Sequence, residues 1–195
     1  MTRPFAVSFD YRCPFARNAQ ESVVNGIRQG KDWDVTFVPF SLDQVHVAEG
    51  EAPVWERPPD ERGTGVLALE WGIAVRDAFP DRFLDAHLAL FAARHDHGEK
   101  IADEDVLRKA VTGVDLDADA VAAEVASGRP LATLAREHDD AVKRWAMFGV
   151  PTFCVDDRAV FVRLMQRDVP DDVDSVLDLF AFERLNEFKY TRIPR

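Results

Sequence analysis

The chain has 195 residues, 47% of them apolar and 30% charged, a balance that suits one globular domain or one with a substantial insertion. Its net charge of −11 argues against a nucleic-acid partner, which would need a concentrated basic surface. No apolar run approaches the roughly 18 residues of a membrane-spanning helix, so no membrane span is expected.

The opening, MTRPFAVSFDYRCP, has neither a continuous apolar core nor a small-residue cleavage site, so no signal peptide is expected and the expected compartment is the reducing cytosol. There the two cysteines, Cys13 and Cys154, suggest reactivity or burial rather than a disulfide framework. FAVSF (5–9) predicts a buried strand. Pro14 suits a first helical position, with Cys13 just before it, and the spacing of Phe15, Ala19, Val23 and Ile27 predicts a helix over 14–28, ended by Gly30. WDVTFVPF (33–40) alternates and is rich in β-formers, so a second strand follows, parallel to the first. Residues 41–65, broken by Pro53, Pro58, Pro59, Gly63 and Gly65, predict a loop, either functional or a solvated excursion.

From 66 to 148 the pattern is helical. One helix is stopped by Pro80, and the next is capped by Asp81 and ends at Gly98. Two short helices start at the caps Asp103 and Asp117, and a last one opens at Pro130, with Gly149 as its C-terminal cap. VPTFCV and AVFVRL, joined by Asp156 and Asp157, then predict a β-hairpin, and a final helix runs from Asp171 to about Phe188.

The order β-α-β, helical block, β-β-α resembles an α/β thioredoxin-like fold with a large all-helical insertion. The residues that carry the resemblance are FDYRCPFA (9–16), FVPFSL (37–42) and FGVPTFCV (148–155), with ALFAARHDHGEKIADEDVLRKA (89–110) in the insertion. Together they resemble the DsbA-like family of thiol oxidoreductases, which includes cytosolic FrnE-like members. The chain is also similar to a sister group, the 2-hydroxychromene-2-carboxylate isomerases and kappa-class glutathione transferases. The resemblance implies that residues 1–42 and 149–195 build the thioredoxin fold and that 43–148 form the loop and insertion. Two departures matter. A dithiol member carries Cys where Ala16 stands, and the isomerases and transferases usually carry Ser where Cys13 stands.

The resemblance makes Cys13 the catalytic candidate. It implies a substrate site built from Pro14, Phe15, Arg17, Val150, Pro151 and Thr152, with a cis Val150–Pro151 bond facing the thiol. Unpaired amides at a helix N-terminus favour thiolate, so a lowered Cys13 pKa is expected. Arg12 and Arg17 can add positive potential or hold a carboxylate of a thiol cofactor. Ala16 cannot resolve a mixed disulfide, which implies monothiol chemistry with glutathione or mycothiol as co-substrate and no tightly bound cofactor. The alternatives are a glutathione- or mycothiol-dependent isomerase or transferase, and a non-catalytic thiol- or peptide-binding module.

Other candidates keep two readings each. Asp10 can shuttle a proton or make turn hydrogen bonds. Cys154 can act as a distant thiol or as an inert core residue. Within the Pro-rich loop, His46 can donate a proton and Trp55 can wall the substrate, or both can pack. His95 and His97 lack the spacing and third ligand of a metal site and are read as polar residues in a helix-ending turn. The expected partner is a small thiol or disulfide. The aromatic-rich end, with Phe180, Phe182, Phe188 and Tyr190, suits packing on the domain or against a second copy in a homodimer.

Overall fold

A computed structural model describes residues 2–185 and 187. Its four strands are β1 (Arg3–Phe9), β2 (Trp33–Pro39), β3 (Thr152–Val155) and β4 (Arg158–Phe161), in the sheet order β2-β1-β3-β4. β1 and β2 are parallel, pairing from Arg3↔Trp33 to Phe9↔Pro39. β3 is antiparallel to both its neighbours, with Ala6 opposite Cys154 and Thr152 opposite Phe161. Residues 5–9 of β1 are all buried, as in a strand covered on both faces.

The helices are α1 (Pro14–Arg28), α2 (Leu42–Val45), α3 (Val66–Ala78), α4 (Phe83–His95), α5 (Glu104–Thr112), α6 (Ala118–Ala126), α7 (Arg129–Trp145) and α8 (Pro170–Asp178). α1 packs on β1, α4 and α8, while α3 is the hub of the insertion, touching α4, α5, α6 and α7. This is the thioredoxin-like fold with its helical insertion. Asp103 and Asp117 cap α5 and α6 by accepting from Asp105 N–H and from Asp119 and Ala120 N–H. One close approach between insertion and sheet depends on a glycine. A Cβ on Gly72 of α3 would lie 2.3 Å from the Tyr11 hydroxyl, so only glycine lets this helix reach the end of β1.

Four sequence expectations are corrected. Residues 41–65 are not one loop: they hold α2 and two 3₁₀ turns, Val54–Glu56 and Pro59–Glu61. Asp81 does not cap α4, because Pro80 starts a 3₁₀ turn through Arg82 and the helix begins after it without a side-chain cap. Gly149 does not end α7; Ala146 takes the left-handed conformation at φ 49° instead. α8 ends at Asp178 and gives way to a 3₁₀ turn at Leu179–Ala181, so the final helix does not reach Phe188. Phe188 and Tyr190 lie outside the described residues.

Candidate functional site

The site forms where β1 ends and α1 begins. Asp10 is fully buried there, and its carboxylate accepts from the Arg12 and Leu42 amides at 2.8 Å each. Its backbone carbonyl accepts from Cys13 N–H at 3.0 Å. The turn thus places Cys13 as the N-cap of α1, with φ −87° and ψ 119°, and Pro14 follows at the first helical position without losing a hydrogen bond. Cys13 Sγ accepts from Ala16 N–H at 3.4 Å. Its S–H donates to the Val150 carbonyl, also at 3.4 Å. The Val150–Pro151 bond is cis.

These contacts do not lower the pKa of Cys13. Burial pushes the thiol up; the Ala16 and Phe15 amides pull it down; the Asp10 charge adds to the rise and Arg163 opposes it. Desolvation prevails because only 9% of the residue is exposed. The expectation of an acidic thiol is therefore corrected: the resting group is a neutral thiol in contact with a carbonyl. Cys154 is free as well but sits inside the sheet, where burial pushes it up to about 12.

A buried hydrogen-bond chain holds the corner. Tyr11 O–H lies 2.8 Å from His87 Nδ1, and His87 Nε2 lies 3.2 Å from Gln20 Oε1. Gln20 Oε1 can only accept, so Nε2 carries the proton and Nδ1 accepts from Tyr11. Burial lowers the pKa of His87 to about 3 and keeps it neutral. Gln20 then donates to the Ser8 carbonyl, and Ser8 Oγ accepts from Thr152 N–H at 2.8 Å. The chain links the insertion, β1, α1 and the segment after Pro151.

The other candidates separate. Pro14 is exposed, Phe15 is half-buried, and Ala16 is wholly buried. Thr152 is buried, its hydroxyl donating to the Gly149 carbonyl, so it shapes the loop and presents no group to a substrate. Arg17 is corrected as a substrate ligand: it is buried, bonded to Glu21 at 3.2 Å and to Asp96, and Arg167 closes the same network onto both carboxylates. Arg12 is likewise engaged, with Asp43 at 2.6 Å and Asp10 at 3.8 Å. Asp10 is committed to turn hydrogen bonds, which fits its structural reading. His46 caps α2, its Nδ1 bonding the Leu42 carbonyl at 2.6 Å. Trp55 packs edge-on against His138, itself stacked on Phe40.

Two roles at the site escaped the sequence reading. His95 Nε2 donates to the Tyr11 carbonyl at 2.9 Å, bringing the end of α4 onto the turn before Cys13. Arg163 lies just past β4, over the ring of Phe15 at 5.4 Å. Its only signal was a lone arginine in an otherwise apolar strand-like run.

A model described as a DSBA-like thioredoxin domain matches residues 80–176. Among solved structures, the oxidoreductase DsbA from Xylella fastidiosa is similar at 19% identity and a TM-score of 0.60, covering 93% of this chain and 87% of its own. A thioredoxin-like oxidoreductase from Silicibacter pomeroyi is similar at 20% identity and 0.60, with the same coverage. A putative protein disulfide isomerase from Nitrosomonas europaea reaches 0.65 at 12% identity, covering 94% of this chain and all of its own. No curated protein matches the sequence.

Proposed function

We propose that this chain, whose fold is the DsbA-like thioredoxin fold, exchanges thiols through Cys13 alone, with a low-molecular-weight thiol as second substrate. One observation carries the reading. Cys13 caps α1 with its sulfur at the Val150 carbonyl, while the wholly buried Ala16 occupies the place of a second thiol. In the first step the Cys13 thiolate attacks a disulfide R–S–S–R′, the Cys13–S–S–R bond forms, and R′–S⁻ leaves. In the second step an external thiolate attacks the R sulfur, forming a new small disulfide and returning Cys13 as thiolate. Electrons and atoms balance within the two exchanges.

The raised Cys13 pKa sets the direction. A thiol of high pKa is a poor leaving group, so the Cys13 mixed disulfide is released slowly, to a small external thiol in excess. This favours reduction of mixed disulfides in a reducing compartment such as the cytosol over disulfide formation in substrates. An extended substrate would take the Val150 carbonyl that the resting thiol now occupies.

The neutral thiol also favours a second reading, in which Cys13 stands where the isomerases and kappa-class transferases carry serine and hydrogen-bonds a bound cofactor's sulfur. Two assays separate the readings: reduction of hydroxyethyl disulfide by reduced glutathione or mycothiol, and glutathione-dependent isomerisation. In the first, Cys13→Ser is expected to fall to the uncatalysed rate. A serine variant with undiminished disulfide reduction would refute the exchange reading, and retained glutathione-dependent isomerisation would support the second.

A further inference from the structure

Most arginines near Cys13 are already engaged. Arg12 is held by Asp43, and Arg17 and Arg167 are held by Glu21 and Asp96. Arg163 differs. Its side chain is exposed, and among the described residues it makes no ion pair and no hydrogen bond. Two rings hold it instead, Phe15 at 5.4 Å and Phe161 at 5.8 Å from its guanidinium carbon. Phe15 belongs to the first turn of α1, two residues past Cys13. Phe161 ends β4 and lies 5.1 Å from Phe148, which is 66% exposed and leads into Val150 and Pro151. The two walls of the Cys13 corner thus meet beneath one unpaired cation, close enough for its charge to favour the Cys13 thiolate.

We infer that Arg163 is a specificity residue that selects small thiols and disulfides bearing a carboxylate; the inference rests on Cys13 exchanging thiols. Aromatic faces fix a guanidinium with little loss of conformational freedom and leave its in-plane N–H edge to grip a carboxylate at two points. A chain of net charge −11 repels anions in general, so an anionic co-substrate needs a local cation to approach the sulfur. In the exchange, the Cys13 thiolate attacks one sulfur of a carboxylate-bearing disulfide, the S–S bond breaks, and the retained half stays joined to Cys13 with its carboxylate on Arg163. The departing thiolate takes a proton from water, and no further oxidant is consumed.

The test uses the full chain with Cys154→Ser, so that one thiol reports, and intact mass to follow mixed-disulfide formation. Three probe disulfides are compared at low and high salt: oxidised glutathione (anionic), hydroxyethyl disulfide (neutral) and cystamine (cationic). Arg163→Gln is expected to lower the rate with oxidised glutathione about fivefold relative to the neutral probe, the size of an exposed ion pair. Arg163→Lys keeps the charge but not the fork and is expected to retain part of that preference, and high salt is expected to erode it in the unsubstituted protein. A rate that falls by the same factor for all three probes overturns the inference, since it shows Arg163 acting only on the thiol's ionisation or the fold. Equal rates for the three probes in the unsubstituted protein overturn it too, while leaving the exchange reading intact. No reaction with any probe before Arg163 is touched overturns both.

Discussion

The two cysteines, one inside the sheet and one just past its edge, occupy opposite situations. Both are buried, and burial raises the pKa of both. Cys154 lies in β3, opposite Ala6, where the ladder already uses the backbone groups and only the distant Arg144 charge works against the rise. Cys13 lies past the end of β1, where α1 offers unpaired amides, Arg163 offers charge and Val150 offers an acceptor. Burial is the same force at both. Position at a chain junction supplies the compensation, and compensation makes one thiol chemically usable while the other packs.

The largest effect should come from Ala16→Cys, which gives the junction the partner it lacks. A thiol one turn from Cys13 attacks the mixed disulfide intramolecularly, and release should be about 10³-fold faster or more than with about 1 mM external thiol. Quenched-flow mass analysis would show the mixed disulfide vanish in favour of an internal disulfide between Cys13 and the introduced thiol. Persistence of the mixed disulfide would mean that the corner does not have dithiol geometry.

Next in size is a test of whether burial against few partners behaves at a carboxylate as it does at Cys154. Glu70 is buried in α3 with Arg62 at 3.5 Å, and burial raises its pKa from 4.5 to about 7. Its folded value exceeds its unfolded one, so its contribution to stability is full below pH 4.5 and is lost as pH rises through about 7. The loss is on the order of 3 kcal/mol. Chemical denaturation of Glu70→Gln against pH should show a flatter profile across that window, and an unchanged slope would count against the burial argument.

The two serine replacements should have crossed effects. Cys154→Ser places a hydroxyl in a packed strand and should destabilise by about 1–3 kcal/mol with exchange intact. Cys13→Ser should abolish exchange and leave stability nearly unchanged. Denaturant midpoints and exchange rates for the two variants would reveal any reversal of this pattern.

The elements around Cys13 were legible because local chemistry decides them. Pro14 at a first helical position, the buried run at 5–9 and the acceptors Asp103 and Asp117 act within a few residues of chain. The Asp81 and Gly149 caps failed where neighbours decided otherwise: Pro80 formed a tighter turn first, and Ala146 reversed the chain before the glycine was reached. The site was less legible than the fold. His87 and His95 reach Tyr11 from more than seventy residues away, through the packing of α4. Arg12 and Arg17 looked available because their carboxylate partners Asp43 and Asp96 lie in other elements. The sign of the Cys13 shift followed the same rule: helix-terminal amides are visible in sequence, and the burial that outweighs them is not.

The most direct test is the pH dependence of Cys13 alkylation on a Cys154→Ser background, read by mass in the folded protein. Burial working against the helix terminus predicts steady labelling without denaturant and a rate that climbs with pH to a midpoint above the ordinary thiol value of 9.0. A midpoint below about 7 would show that the helix terminus prevails over burial, and no labelling until the protein unfolds would show a packing residue; either result contradicts a usable but neutral thiol at Cys13.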